Sequence, residues 1–154
     1  MKRLIFILIS FLAFSCAMIA QTPIMSLAQS YDGQKGVKVI DVSGTAMSFA
    51  RPYIRKSPME PMADNVSAAT IISLKKAQDN VLHDFLTRLR RIFNSYQLYG
   101  KTTDDDGNTV VVYGSPIKNG IVHELVVYSP DNHVVFSLRG SYPYDELKKL
   151  EPKK

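Results

Sequence analysis

Cysteine is almost absent from this chain of 154 residues, Cys16 being its only one. A single thiol excludes a disulfide framework, and Cys16 lies in an N-terminal run that reads as removable, so the mature protein is expected to have no thiol nucleophile. Histidine is nearly as scarce. His83, His123 and His133 are the only general bases working near neutrality, and none stands in a helix-spaced pair or a histidine-glutamate zinc motif. There is no Gly-x-Ser-x-Gly elbow, Walker loop or dinucleotide fingerprint. These absences argue against an enzyme and against a bound cofactor. Nor is there a polybasic tract. The formal charge of +5 comes from 19 basic and 14 acidic residues, and loss of Lys2 and Arg3 with the N-terminal run leaves 17 against 14, or +3. The remaining cations are interleaved with Asp104, Asp105, Asp106, Asp131, Asp145 and Glu146, so no face offers the phosphate contacts of a nucleic-acid binder.

What is present begins with Met1-Lys2-Arg3 and an uncharged stretch from Leu4 to Ala20, the order of a secretory signal. The run is at the short limit for spanning a bilayer and is followed by Gln21-Thr22-Pro23 in place of a basic stop-transfer cluster. Residues 1–20 therefore read as a signal peptide and residues 21–154 as one domain, periplasmic or in the cell envelope. Three processing sites compete. Cleavage after Ala20 keeps a first helical turn over residues 25–31, cleavage after Ala28 fits the small-x-small rule better, and lipidation at Cys16 would tether the protein to a membrane.

Along the mature chain, residues 37–42 read as an interior strand because Val37, Val39, Ile40 and Val42 are apolar on both sides. Residues 45–51 read as a two-turn helix ended by Pro52. Pro52, Pro58 and Pro61 predict an irregular surface segment over 52–69, and residues 70–77 an edge strand protected by Lys75 and Lys76. The clearest pattern is a helix over 80–95, where Val81, Leu82, Phe85, Leu86, Leu89, Ile92 and Phe93 recur at three and four residues, with Asp79 as its N-cap. Alternating segments at 97–103, 109–113, 121–128 and 133–139, punctuated by Asp106-Gly107-Asn108, Asn119-Gly120 and Pro130-Asp131-Asn132, predict an antiparallel meander. A short helix over 144–150 closes the chain. The fold expected is α+β: a mostly antiparallel sheet of five to six strands with a C-terminal meander, one long amphipathic helix on one face and short additional helices.

If residues 129–132 form a four-residue loop, Tyr128 faces His133 and the last two strands align Leu125 with Phe136 and His123 with Leu138 on a core face. The opposite face then carries Val126 with Val135 and Glu124 with Ser137, and puts Glu124 diagonal to Arg139, in reach of an ion pair. Being half polar, that second face is expected to be partly exposed or to meet a partner.

The glycine-rich entry Gly33-Gln34-Lys35-Gly36-Val37, Ser43 at the end of the first strand, the long amphipathic helix and the closing Ser137-Leu138-Arg139-Gly140 resemble a Bacteroidetes family of exported proteins of unknown function. The resemblance covers nearly the whole mature chain. It implies a small envelope protein, some members being encoded near extracytoplasmic-function sigma factors, and hence a regulatory or stress role. It carries over no functional residue.

Several constellations have a bland and a sharp reading. His123 among Leu125, Phe136 and Leu138 reads as a hydrogen-bonded core histidine, against a hydrolase base. Glu124 with Asp41 is a conceivable carboxylate pair, but Glu124 is better explained by Arg139. Asp104, Asp106 and Asn108 alternate oxygen ligands, yet Gly107 is misplaced for a calcium loop, so a polar hairpin tip is expected. Met59 and Met62, with Met47 nearby, have thioethers suited to Cu(I) and equally to filling apolar gaps. Arg88 and Arg91 would grip a phosphate or simply form a solvated helix face.

The function expected is that of a non-enzymatic envelope protein that binds another envelope protein through the Val126/Val135 sheet face and the proline-rich segment. Self-association is left open. A small-ligand or metal carrier using Met59, Met62 and Arg88 is the alternative, and a hydrolase using His123 the third reading.

Overall fold

A computed structural model describes residues 21–55 and 60–150. Helix α1 (Pro23–Tyr31) starts where chemistry favours it: the Thr22 hydroxyl accepts from the Met25 amide at 3.2 Å and Pro23 fills the first turn, where its missing N–H costs nothing. Strand β1 (Lys38–Ser43) leads through Gly44 to helix α2 (Thr45–Ile54), and a 3-10 segment (Glu60–Asn65) runs into β2 (Val66–Ser73). The long helix α3 (Asp79–Phe93) precedes strands β3 (Gln97–Thr103), β4 (Thr109–Gly114), β5 (Ile121–Ser129) and β6 (Val134–Pro143). Helix α4 (Tyr144–Leu147) and a 3-10 turn (Lys148–Leu150) follow.

The six strands form one sheet in the order β1-β2-β6-β5-β4-β3, and every neighbouring pair is antiparallel. This is the expected α+β class and meander. Both faces are apolar, because Val126, Tyr128, Val135 and Ile72 point one way while Leu125, Val127, Phe136 and Leu138 point the other. Helices α1 and α3 close the first face. Ile24, Leu27 and Ala28 of α1 and Phe85 and Leu89 of α3 bury themselves against Val126 and Val135. Tyr31 seats edge-on against Phe85, donates to the Asp84 carboxylate and lies under the Arg88 guanidinium. Burial and the Asp84 carboxylate push the Tyr31 phenol up to about 12.

The second face has two separate covers. Met47 of α2 and Met62 of the 3-10 segment pack at the β1–β2 side, while Leu147 of α4 packs with Tyr99, Val122 and Tyr142 at the other. Close approach fixes one of these junctions. A Cβ at Gly140 would stand 1.9 Å from the Asn65 carbonyl oxygen, so only glycine lets the 3-10 segment lie on β6.

Several expectations are corrected. Strand β1, expected to be interior, is an edge strand, as is β3, while β2, expected at an edge, is interior between β1 and β6; Lys75 and Lys76 lie beyond its end, in the turn before α3. Helix α2 continues through Pro52 to Ile54, since the carbonyl of exposed Ser48 that Pro52 cannot satisfy is open to water. The segment expected to be irregular holds a 3-10 turn with Met62 and Ala63 buried, and β2 begins four residues early, at Val66. Asp79 lies inside the first turn of α3, and Gln78 is the capping position. The β5–β6 loop is residues 130–133, with His133 at φ 51, so Tyr128 pairs with Val135 rather than facing His133. Both predicted faces survive this two-residue slip, because the side-chain period is two. What changes is their covering: Val126 and Val135 are fully buried beneath the helices, so the face expected to meet a partner is the closed one.

Residues 1–20, with the expected signal peptide and Cys16, lie outside the described residues. Cleavage after Ala28 would remove Ile24, Leu27 and Ala28 from the core, whereas cleavage after Ala20 leaves α1 whole. Ile24→Ala is expected to lower unfolding free energy by about 2–5 kcal/mol in urea titrations of the protein beginning at Gln21, the range for emptying a buried aliphatic site. A loss below about 0.5 kcal/mol would show that α1 is not part of the cooperative core.

Candidate ligand-binding cleft

Between the two covers of the second face the sheet stays open. The register lines up Ile71, Phe136, Val127 and Val112 across β2, β6, β5 and β4, one residue from each strand in a row perpendicular to the chain. The next row toward α2 consists of Ala69 and Leu138, with Val42 opposite Ala69 on β1. Helix α2 lies over these rows and turns Ala50, Tyr53 and Ile54 toward them. The space beneath measures about 410 Å³, within the span of roughly 300–1,000 Å³ usual for small-molecule sites. Among its lining residues only Tyr53 carries a polar side-chain atom. Such a lining offers no partner to a buried charge, amide or hydroxyl, and desolvating one there without a hydrogen bond would cost about 1–3 kcal/mol or more. Hydrocarbon is what could be buried there without that cost.

Glu124, Ser137, Thr70 and Arg139 lie on the other, closed face. Glu124 is fully buried on β5, its Oε1 accepting from the Tyr96 hydroxyl at 2.6 Å and its Oε2 from the Ser137 hydroxyl at 2.7 Å. Burial and the bond to Glu124 raise the Tyr96 phenol well above its ordinary range. Arg139 pairs opposite Glu124 in the register, but its guanidinium points elsewhere, to the Thr70 hydroxyl at 3.1 Å and the Met25 thioether at 2.9 Å. The expected Glu124–Arg139 ion pair is therefore replaced by two hydroxyl donors. Thr70 in turn donates to Asp41 at 2.6 Å. Asp41 on β1 and Glu124 on β5 are three strands apart, about 14 Å at ordinary strand spacing, and do not form a carboxylate pair.

The remaining candidates disperse. A register shift between Val122 and Glu124 rotates His123 out of the sheet's alternation, so it is exposed and not in the core. His83 is exposed on α3. His133 is half-buried in the β5–β6 turn, not in water, and its Nδ1 is buried without a protein partner. Asp104 holds its own hairpin tip, accepting from the amides of Asp106 and Asn108 and from the Asn108 side chain, and these bonds lower its pKa. Met62 and Met47 are core residues, and Met59 lies outside the described residues. Arg88 is occupied by Asp84 at 3.4 Å, while Arg91 is exposed. Among the described residues no group of three or more His, Cys, Asp or Glu side chains is placed to hold a metal ion. Sequence placed Phe136 and Leu138 on a core face and marked none of the cleft residues as part of a site. The available signal was the presence of apolar residues on both sides of β4, β5 and β6, which demands two covers.

An α+β domain with one closed sheet face and one apolar cleft is the class this architecture defines. Residues 31–150 match the family described as Domain of unknown function (DUF4252), and the chain belongs to that family. The match begins at the last residue of α1. No curated protein and no solved structure matches the chain.

Removing the buried carboxylate strands two hydroxyl donors. Glu124→Leu is therefore expected to cost about 2–5 kcal/mol by urea denaturation, and Glu124→Gln markedly less because it keeps an acceptor. Equal losses for the two would show that packing, not hydrogen bonding, sets the cost.

Proposed function

We propose that this domain acts by binding, not catalysis, and that its ligand is an aliphatic chain taken into the cleft between α2 and the open face of the sheet. The observation that carries this reading is a lining that is hydrocarbon apart from the Tyr53 hydroxyl, around a space large enough for a small molecule. Each methylene moved from water into such a site contributes roughly 0.8 kcal/mol, so an extended chain gains affinity with length while its polar end stays at the rim by Tyr53. This favours the small-ligand carrier over a protein binder working through Val126 and Val135, which are buried. It also disfavours a hydrolase using His123, which is exposed on β5 and does not line the cleft. Work in the periplasm or envelope, reached by export of residues 21–154, belongs to the same proposal; it rests on the N-terminal sequence pattern. Among the described residues no helix is long and apolar enough to cross a membrane.

The test is titration with dansyl-labelled undecanoic acid, whose emission rises on leaving water. Saturable binding is expected, weakened about tenfold or more by Ile71→Trp, because displacing two methylenes costs roughly that factor. Ile71 is part-exposed at the cleft floor, so the larger ring enters open space and leaves the urea midpoint nearly unchanged. Binding with equal affinity in the variant would place the probe elsewhere and end the proposal.

A further inference from the structure

The six strands place a single charge on the side of the sheet where the cleft lies. Alternation carries Val42, a lining residue, through Ile40 to Lys38 on that side. The other charged strand residues look away: Asp41, Glu124 and Arg139 are on the closed face with Thr70 and Ser137, and Lys101 pairs with Val111, beside Tyr128, on that same face. Lys38 is exposed at the β1 edge opposite Ser73, and diagonal to Ile71 of the cleft floor, about 7–8 Å away and within reach of a long side chain. Ile40, opposite Ile71 and 40% exposed, continues the apolar floor to that edge. Tyr53 of α2 borders the same β1–β2 side. Among the described residues no acid is within ion-pair distance of Lys38. The cations of α2 are engaged, Arg51 donating to the Val66 carbonyl at 3.4 Å and Arg55 pairing with Asp64. Glu60 and Asp64 precede the start of β2 at Val66, whereas Lys38 is opposite its last residue, about 23 Å along the strand. Asp32 and Asp79 belong to the ends of α1 and α3, which cover the closed face. Lys35, Lys75 and Lys76, exposed in the turns beside β1 and β2, add to the positive field at this corner. The opposite margin is acidic. Asp104, Asp105 and Asp106 lie in the turn before β4, and Asp131 accepts from the amide of Thr109, its first residue.

We propose that the cleft takes a fatty carboxylate, a single aliphatic chain with an anionic head, and that Lys38 is the residue that recognises the head. The chain lies across the strands from β1 toward β4, a span of about 19 Å, over Ile71, Phe136, Val127 and Val112. This inference rests on the hydrocarbon-ligand reading and adds the head group and the direction of the ligand. Charge complementarity sets that direction. At the β1 margin the carboxylate keeps part of its water and meets an ammonium without a competing acid, whereas the reverse orientation would set it beside four aspartates.

The test compares dansyl-undecanoic acid with its methyl ester, which has the same chain and no charge. Lys38→Met keeps the apolar stem and removes the ammonium at an exposed edge position, so the urea midpoint should not move. At low salt the variant is expected to bind the acid about fivefold more weakly, the upper range for a solvent-exposed ion pair, and to bind the ester as the native protein does. Lys38→Glu should weaken the acid further, and raising sodium chloride to about 0.5 M should shrink the loss in Lys38→Met. Lys101→Met, at the other edge and on the closed face, should bind both probes as the native protein does. Equal losses for acid and ester in Lys38→Met, or no loss for either, would overturn the head-group assignment and leave the cleft reading in place. Self-association of Lys38→Met with acid binding unchanged would overturn it too, and make Lys38 a guard against pairing at the free edge. Failure of both probes to bind the native protein would instead remove the cleft reading on which this inference depends.

Discussion

A sheet that is apolar on both faces must be covered twice, and the described residues supply helical material for one complete layer and part of a second. That shortfall governs the rest of the structure. The long helix and α1 close one side, where Val126 and Val135 lose all contact with water. On the other side α2, the 3-10 segment and α4 are each short, and they settle at opposite margins of the sheet. Phe136, Val127 and Ile71 are left half-covered between them. Extending either cover would bury more apolar surface and abolish the cleft, so the cleft exists because the second layer is incomplete.

Polar chemistry is distributed in the opposite sense. The buried carboxylate of Glu124 and its hydroxyl donors Tyr96 and Ser137 lie under the closed layer, where each acceptor is satisfied within the protein. Such a network fixes how the end of α3 meets the sheet, since a shift of either partner would leave a hydroxyl or a carboxylate unpaired in a dry environment. The open face carries no comparable group near its cleft. The buried polar network is thus on one side of the sheet and the apolar cleft on the other.

Much of this architecture was legible in the residues themselves. The three-and-four recurrence through Phe85 and Leu89 identified α3, and the alternation from Ile121 to Tyr128 identified β5, because both periods reflect burial on one face of a regular element. The strand faces were also readable, surviving a two-residue error in register. What could not be read was which face the long helix chooses. Half-polar content suggested that Glu124 and Ser137 face solvent, but these side chains satisfy each other and are buried. The displacement of His123 depends on a local register shift, and such irregularities leave no periodic trace. The cleft itself escaped notice for a related reason: Leu125, Leu138 and Phe136 look like ordinary core, and only the positions of short helices decide whether a core residue has a neighbour above it.

The position of α1 has a practical side. Its residues insert into the sealed layer, so Gln21 and Thr22 lie on the side of the sheet opposite to α2. Any attachment made there, whether an affinity handle, a fluorophore or a link to a solid support, grips the domain by its back and leaves the mouth of the cleft facing outward.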